Sequence, residues 1–280
     1  MRTSPTVVVT GATSGIGLAL AEALAARVGT LVLVGRDAAR LDAALMRVRA
    51  RSAPSAQLVA MRADLSSVSA TRALAARIRA ELPQLHVLIH NAGIWPMKRA
   101  LTAEGFEEAF AVNHLAPSVL NAALRDLLVA SAPSRVVQVT AGLYVKGRVD
   151  LNGDARGARF GKLHTYPTTK LWNLLATLAL SRSLEGSGVT VNAVHPGVVR
   201  TGLGDARGLL GWAMRRVKRR WLSPAQGALG PLRLAVAPEL DGVTGRYFDQ
   251  LAEVPLHPSA RAPGLADAVV ARTRALLERS

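Results

Sequence analysis

The chain alternates between short apolar runs and longer amphipathic stretches from its first residues onward. The apolar runs are continuous, which is typical of strands buried on both faces of a parallel sheet. The stretches between them repeat apolar residues at helical spacing. The predicted strands are Thr6–Val9, Leu31–Val34, Gln57–Met61, Val87–Ile89, Val136–Val139, Thr190–Val194 and Gly245–Phe248. The predicted helices are Ile16–Ala26, Ala38–Ala50, Val68–Leu82, Leu115–Val129, Tyr166–Leu184 and Pro224–Ala237.

This order of elements predicts an α/β fold, a doubly wound parallel sheet with helices on both faces. Neither an internal repeat nor a linker interrupts the pattern, so residues 1–280 are interpreted as a single domain. Two irregular segments rich in Gly and Arg, about 142–165 and about 198–223, follow predicted strands. Ligands of such sheets bind beyond the carboxyl ends of the strands, so both segments are candidate walls of a substrate site.

The composition excludes several classes of protein. Half of the 280 residues are hydrophobic and none is cysteine, which excludes global disorder, disulfides and thiol catalysis. The net charge of +16 comes mostly from arginines scattered along amphipathic helices, so nucleic acid is not the expected ligand. No apolar stretch has the length of a membrane span and no signal peptide precedes the first strand, so a cytoplasmic protein without stable membrane insertion is expected.

A glycine-rich turn joins the first predicted strand to the first predicted helix. Glycines allow the backbone to approach a pyrophosphate closely, and the helix N-terminus offers unpaired N–H groups to it. The spacing is Gly-x-x-x-Gly-x-Gly, which differs from the usual dinucleotide pattern. The candidate cofactor residues of this turn are Gly11, Thr13, Ser14, Gly15, Ile16 and Gly17.

Tyr166 and Lys170 begin a long predicted helix and lie four residues apart, on one helix face. A phenol acts as an acid or base near neutrality when its pKa falls from about 10, and a nearby ammonium group lowers the pKa by favouring the phenolate. The pair is therefore a candidate proton-transfer centre.

Together, the glycine turn and the Tyr-x-x-x-Lys pair resemble the short-chain dehydrogenase/reductase family, whose fold is the Rossmann fold. Further family motifs occur in the expected order over nearly the whole chain. They are Asp64-Leu65, Asn91-Ala92-Gly93, Asn113, Pro196-Gly197 with Val199, and Thr201. The resemblance implies that all of these except Asn113 bind the cofactor, together with Tyr166 and Lys170.

The resemblance implies hydride transfer between nicotinamide and an alcohol or carbonyl carbon. Tyr166 would exchange a proton with the substrate oxygen, Lys170 would lower the pKa of Tyr166 and bind the nicotinamide ribose, and Asn113 would hold a water linked to Lys170. The family's strand-end serine is absent, because Ala141 aligns with it. Either Thr140 takes the role of that serine, or the site works without this hydrogen bond, or the protein binds the cofactor without efficient turnover.

The second predicted strand ends at Gly35-Arg36 rather than at an acidic residue, and Arg40 follows one helical turn further on. A guanidinium group pairs with the 2′-phosphate of NADP, whereas a carboxylate holds the ribose diol of NAD. Asp37 is interpreted as the N-cap of the following helix. Arg36 therefore predicts a preference for NADP(H), with NAD(H) as the alternative cofactor.

The long interval between Ala141 and Tyr166 resembles the insertion of retinol-dehydrogenase-like and WW-domain-oxidoreductase-like members, which implies a lipophilic substrate. Residues 209–222 predict an amphipathic lid helix, with peripheral membrane contact as the alternative. His90 and His195 are interpreted as structural, and no side-chain cluster has metal-ligand spacing. An NADP-binding sensor or scaffold is the alternative function, and the chain is expected to be a monomer or a homo-oligomer.

Overall fold

Eight strands form one sheet in the computed structural model, which describes residues 4–200 and 221–279. The strands are β1 Thr6–Thr10, β2 Thr30–Gly35, β3 Gln57–Arg62, β4 Val87–His90, β5 Ser134–Val139, β6 Val189–His195, β7 Tyr247–Asp249 and β8 Ala252–Glu253. Their order is β3-β2-β1-β4-β5-β6-β7-β8. The strands from β1 to β7 pair in parallel, and β8 is antiparallel to β7. This confirms the doubly wound parallel sheet.

Helices cover both faces of the sheet. They are α1 Gly15–Leu24, α2 Ala38–Arg49, α3 Val68–Glu81, α4 Glu108–Phe110, α5 Ala116–Ala130, α6 Thr165–Ser183, α7 Pro224–Val236 and α8 Leu265–Leu277. One apolar cluster lies under α1, α2 and α7, and a second lies under α3 and α5 on the opposite face. A third packs α6 against α8 and the segment before α6. Buried apolar side chains from both faces thus fix the sheet and its carboxyl edge.

Local side-chain bonds set several helix starts. Asp37 accepts a hydrogen bond from the backbone N–H of Arg40 at 2.9 Å, so its predicted role as N-cap of α2 is confirmed. Ser223 and Gln226 form a reciprocal capping box at the start of α7. Each cap satisfies backbone donors that the first helical turn leaves without an internal partner.

Three features differ from the sequence prediction. Asn113 lies in a five-residue π-helical turn, Ala111–Leu115, that leads into α5, whereas the predicted helix begins only at Leu115. The helix α8 was not predicted; its buried residues are Val269 and Thr273, so its apolar stripe is narrow. The strand β8 was not predicted either, because two residues are too few to show the alternation of apolar and polar side chains by which a strand is recognised.

Candidate active site

A cleft of about 1150 Å³ runs along the edge where the parallel strands end. The edge collects the residues that follow β1, β2, β4, β5 and β6, because parallel strands bring their carboxyl ends together. The predicted cofactor residues that line this cleft are Gly11, Thr13, Ser14, Gly15, Ile16, Gly17, Arg36, Asp64, Leu65, Asn91, Ala92, Gly93, Tyr166, Lys170, Pro196, Gly197 and Val199. The remaining predicted residue, Thr201, lies outside the described residues.

The glycine turn is held against the end of β4 by side-chain hydrogen bonds. The Asn91 amide donates to the carbonyl oxygens of Thr10 and Gly11 at 2.9 and 3.1 Å. The Thr10 hydroxyl accepts from the backbone N–H of Asn91 at 3.0 Å. A Cβ at Gly17 would overlap the Gly11 carbonyl and the Asn91 amide, so only glycine lets α1 begin this close to the turn. The turn is thus a rigid backbone cradle.

The N-terminus of α1 opens into the cleft without a side-chain cap. Ser14 occupies the N-cap position, is exposed, and makes no capping hydrogen bond. No acidic residue lies in the first turn of α1. Unpaired N–H groups and the positive end of the helix dipole therefore face open space, an arrangement that fits a pyrophosphate group.

Three exposed arginines stand at the far end of the cleft, at the ends of β2 and β3. Arg36 and Arg40 were read from the sequence, and Arg62 was not. The Arg62 Nε donates to the carbonyl oxygen of Arg36 at 3.1 Å, which holds the two residues side by side. Within the described part of the chain, none of the three guanidinium groups pairs with a carboxylate. This end of the cleft therefore carries three guanidinium groups that form no ion pair with another described residue.

Tyr166 and Lys170 lie at the opposite end of the cleft, in the first turns of α6. Both are buried, with 6% and 3% of their surface exposed. The Lys170 Nζ donates to the Val139 carbonyl oxygen at 3.2 Å and lies 5.7 Å from the centre of the Tyr166 ring. The Tyr166 hydroxyl has no hydrogen-bond partner among the described residues and is not sealed from solvent. The phenol oxygen is thus free to meet a ligand.

Burial acts on the pKa values of this pair. It raises the pKa of Tyr166, because the phenolate loses more hydration than the phenol. It lowers the pKa of Lys170 to about 8, because the ammonium loses hydration in the same way. The lowering of the Tyr166 pKa that the sequence predicted is therefore outweighed by burial in this structure. Tyr166 keeps its proton throughout the neutral range.

Asn113 does not line the cleft but stands behind its wall. Its amide group donates to the Ile94 carbonyl at 3.0 Å and to the Thr169 hydroxyl at 3.0 Å, and accepts from the Ile94 N–H at 2.8 Å. A Cβ at Gly93 would lie 3.3 Å from both the Asn113 Oδ1 and the Lys170 Nζ. Asn113 thus joins the segment after β4 to α6 beside Lys170.

Thr140 and Ala141 both line the cleft where β5 ends. The Thr140 hydroxyl donates to the Lys170 carbonyl oxygen at 3.3 Å, which ties β5 to α6. Ala141 offers no polar side-chain group. The catalytic role of Thr140 stays a prediction, and in this structure its hydroxyl is engaged with the backbone.

Trp95 covers the Tyr166 ring, a contact that sequence reasoning missed. The two rings stack with centroids 4.6 Å apart and an interplanar angle of 7°. The Trp95 indole N–H donates to the Lys162 carbonyl oxygen at 2.6 Å. The segment 142–165, which was expected to wall the cleft, contributes no lining residue and reaches the site through this bond.

His195 also lines the cleft, so its interpretation as a structural residue was incomplete. His90 is fully buried and shares a 2.8 Å hydrogen bond with Asn121, which agrees with a structural role. The position of His195 at the last residue of β6 was the signal available in the sequence. Arg62 ends β3 in the same way, and both strand ends meet at the cleft.

The described residues hold no group of three or more His, Cys, Asp or Glu side chains arranged for a metal ion. Across residues 4–200 and 221–279, no helix has the length and apolarity needed to cross a membrane. Of the predicted lid helix, residues 209–220 lie outside the described part of the chain.

Comparison with known proteins agrees with this geometry. The family described as "short chain dehydrogenase" matches residues 5–208. Mouse "Retinol dehydrogenase 14" is 38% identical over 275 residues, covering 91% of this chain and 80% of the relative. Human "Retinol dehydrogenase 13" is 40% identical over 276 residues, covering 95% and 81%.

Two solved structures are similar over most of their length. A Mycobacterium paratuberculosis protein titled as uncharacterized superposes with a TM-score of 0.76 at 28% identity, covering 98% of this chain and 93% of that one. A Burkholderia cenocepacia short chain dehydrogenase in complex with NADP gives a TM-score of 0.68 at 26% identity, covering 89% and 97%.

Proposed function

The chain belongs to the short-chain dehydrogenase family, and on that premise we propose that it is an NADP(H)-dependent oxidoreductase of lipophilic alcohols or carbonyls. The observation that carries the cofactor preference is the cluster of Arg36, Arg40 and Arg62. These cations lie beyond β2, where an acidic residue would hold the ribose diol of NAD. Two carboxylates line this part of the cleft among the described residues, and both have partners of their own. Asp37 is the N-cap of α2, and Asp64 accepts from the backbone N–H and the hydroxyl of Ser66.

The rest of the cleft fits the same dinucleotide. The uncapped start of α1 suits the pyrophosphate, and Gly17 leaves the backbone approach open. Tyr166 and Lys170 stand at the end of the cleft away from the arginines. When bound, the nicotinamide supplies or accepts the hydride. Proton transfer and charge stabilisation are carried out by side chains of the protein itself.

Tyr166 is the proton donor of the proposed reduction. Its buried phenol retains its proton at neutral pH, and its oxygen has no partner among the described residues, so it can donate to a carbonyl oxygen placed in the cleft. Lys170 remains charged below about pH 8 and stabilises negative charge that develops on the phenol oxygen. Asn113 positions the wall beside Lys170 through Ile94 and Thr169.

A lipophilic substrate is supported by the walls near Tyr166. Trp95 stacks on Tyr166, and its apolar neighbours Ile94 and Pro96 line the cleft with it, together with Val112 and the acidic Glu108. The relatives named retinol dehydrogenases carry an apolar alcohol in their name. An aldehyde panel from retinal and decanal to small polar aldehydes tests this preference. A polar aldehyde with the highest kcat/KM would contradict it.

The cofactor assignment is tested by Arg36→Asp. Losing charge-assisted hydrogen bonds to a phosphate and adding a carboxylate should shift the NADP/NAD ratio of kcat/KM toward NAD by about 10-fold to 100-fold. Arg27→Asp is the matched control, because Arg27 is exposed and lies outside the cleft. An unchanged ratio in Arg36→Asp would remove the proposed NADP preference.

An NADP-binding sensor or scaffold is the second candidate, and Ala141 favours it, because no hydroxyl stands where the family places one. Aldehyde-dependent NADPH oxidation separates the two, with Tyr166→Phe as the control. Turnover that exceeds Tyr166→Phe supports the enzyme. NADPH binding without such turnover supports the sensor. The cytoplasmic location and the oligomeric state remain sequence predictions.

A further inference from the structure

At the catalytic end of the cleft, neither of the described residues at the end of β5 offers a free hydroxyl to a substrate oxygen. A carbonyl oxygen that becomes an alkoxide has room for a second donor beside Tyr166, and preorganised donors at such an oxygen contribute strongly to rate. Ala141 has no polar side-chain atom, and the Thr140 hydroxyl donates to the Lys170 carbonyl. The donor must therefore come from another part of the wall.

Among the described residues that line the cleft next to β5, His195 has a polar side chain without a hydrogen-bond partner. It is the last residue of β6, the strand that pairs with β5, so it lies beside the segment that contains Ala141. The edge of its ring formed by Cδ2 and Nε2 faces the residue after Ala141. A Cβ at Gly142 would lie 3.1 Å from Cδ2 and 3.2 Å from Nε2, which is shorter than an ordinary van der Waals contact. Glycine at 142 thus leaves the space that the imidazole ring needs.

The two ring nitrogens of His195 have different surroundings. Nδ1 is buried and has no hydrogen-bond partner among the described residues. Nε2 likewise has no partner there but is not sealed from solvent, and the ring lines the cleft. A buried N–H without an acceptor is rarer than a buried acceptor without a donor. The proton therefore belongs on Nε2, where a ligand oxygen can accept it.

Burial favours the neutral form of the His195 imidazole. Burial lowers the pKa of His195, the charge of Asp249 opposes this, and the charge of Lys170 adds to it. A neutral imidazole has one N–H donor and one acceptor nitrogen, so only one of its nitrogens can donate.

We propose that His195 donates a hydrogen bond from Nε2 to the substrate oxygen, at the place that Ala141 leaves without a hydroxyl. The inference rests on the proposed reductase function. Tyr166 transfers its proton to this oxygen, while His195 keeps its proton and stabilises the developing charge. His195 is thus a catalytic residue of a site that its sequence motif marks as incomplete.

The test measures NADPH-driven aldehyde reduction by three variants: His195→Leu, His195→Gln and the double variant His195→Leu with Ala141→Ser. His195→Leu removes the donor and should lower kcat by about 10²-fold to 10³-fold, with the NADPH Kd within about twofold of wild type. His195→Gln keeps an N–H at similar reach and should lose less than about tenfold. Ala141→Ser added to His195→Leu restores a hydroxyl and should recover about tenfold or more, a coupling that a structural histidine would not produce.

Ala141→Ser alone is the control and should change kcat less than about threefold, because the oxygen already has its second donor. Thr140→Val tests the competing donor and should lower kcat less than His195→Leu does, since the Thr140 hydroxyl donates to the Lys170 carbonyl. A large loss in Thr140→Val with near-normal His195→Leu would transfer the role to Thr140 and overturn the proposal.

Other outcomes also decide the matter. His195→Leu with kcat within twofold of wild type, or a loss that neither glutamine nor Ala141→Ser repairs, overturns the donor role alone. Wild-type turnover no higher than that of Tyr166→Phe overturns the reductase function and this inference together. If His195→Leu does not fold, ¹⁵N NMR of the histidine rings decides, assigned by difference from His195→Gln. An Nε2–H tautomer is expected, and an Nδ1–H tautomer contradicts the proposal.

Discussion

At the scale of single residues, burial changes the proton affinities of Tyr166 and Lys170 in opposite directions. The phenol becomes a weaker acid and the ammonium a stronger one, because both charged forms lose hydration. The charge of Lys170 is therefore only one of the influences on the pKa of Tyr166, and burial is another. A protonated phenol suits carbonyl reduction, in which it gives up its proton.

Lys170→Met should stabilise the free protein most strongly below about pH 8. With a folded pKa of about 8 and an unfolded pKa of about 10.4, the buried ammonium costs about 3 kcal/mol when both states are protonated. Between these values only the unfolded state holds the proton, so wild-type stability rises with pH relative to Lys170→Met. Urea unfolding at several pH values from 7 to 10 measures the difference between the two proteins. A difference independent of pH would contradict the lowered pKa.

At the scale of elements, the segment 142–165 is anchored to α6 through a buried carboxylate. Asp154 Oδ2 accepts the Trp172 indole N–H at 2.7 Å and the Asp150 backbone N–H at 2.6 Å. Trp172 is fully buried, and burial raises the pKa of Asp154. The segment is therefore held on α6, the helix that carries Tyr166. The hydrogen bond from Trp95 to the Lys162 carbonyl connects the same segment to the cleft wall.

Trp172→Phe should lower the free energy of unfolding by about 1–3 kcal/mol, because a buried carboxylate loses a donor. Trp95→Phe is the matched control, since it removes an indole N–H from an exposed carbonyl oxygen and should cost less than about 1 kcal/mol. Chemical denaturation of both variants gives the comparison. Equal losses would mean that burial of the Asp154 carboxylate does not determine the effect.

At the scale of the whole molecule, the sheet makes one binding edge from segments far apart in the chain. Arginines that follow β2 and β3 stand at one end, and Tyr166 of α6 stands at the other. A ligand that spans this edge binds the folded state alone. Ligand binding should therefore raise the free energy of unfolding of the whole protein.

NADPH at about 100 times its Kd should add about 2.7 kcal/mol to the free energy of unfolding and raise Tm by about 5 °C or more. NADH at the same concentration should raise Tm less, because the arginine cluster has no phosphate to bind. Thermal scans of wild type and Arg36→Asp measure this difference. A larger shift with NADH than with NADPH would contradict the proposed preference.

The sequence determined the order of the elements and placed the predicted cofactor residues at the edge where the strands end. Continuous apolar runs for β1 to β7 and the glycine turn after Thr10 are local patterns, and parallel pairing brings their ends together with no further information. Arg36 was identified because it follows β2 directly, and the Tyr166–Lys170 pair because its members lie four residues apart in one helix. The N-cap role of Asp37 was equally local.

Only the tertiary structure decided which side chains complete the site. The Trp95–Tyr166 stack, the Arg62–Arg36 contact and the place of His195 beside Gly142 each join residues from different strands or loops. The opposing pKa shifts of Tyr166 and Lys170 depend on burial, and burial is a property of the packed molecule rather than of a motif. Spacing along the chain identifies the reactive groups, whereas tertiary packing determines their protonation states and the side chains that surround them.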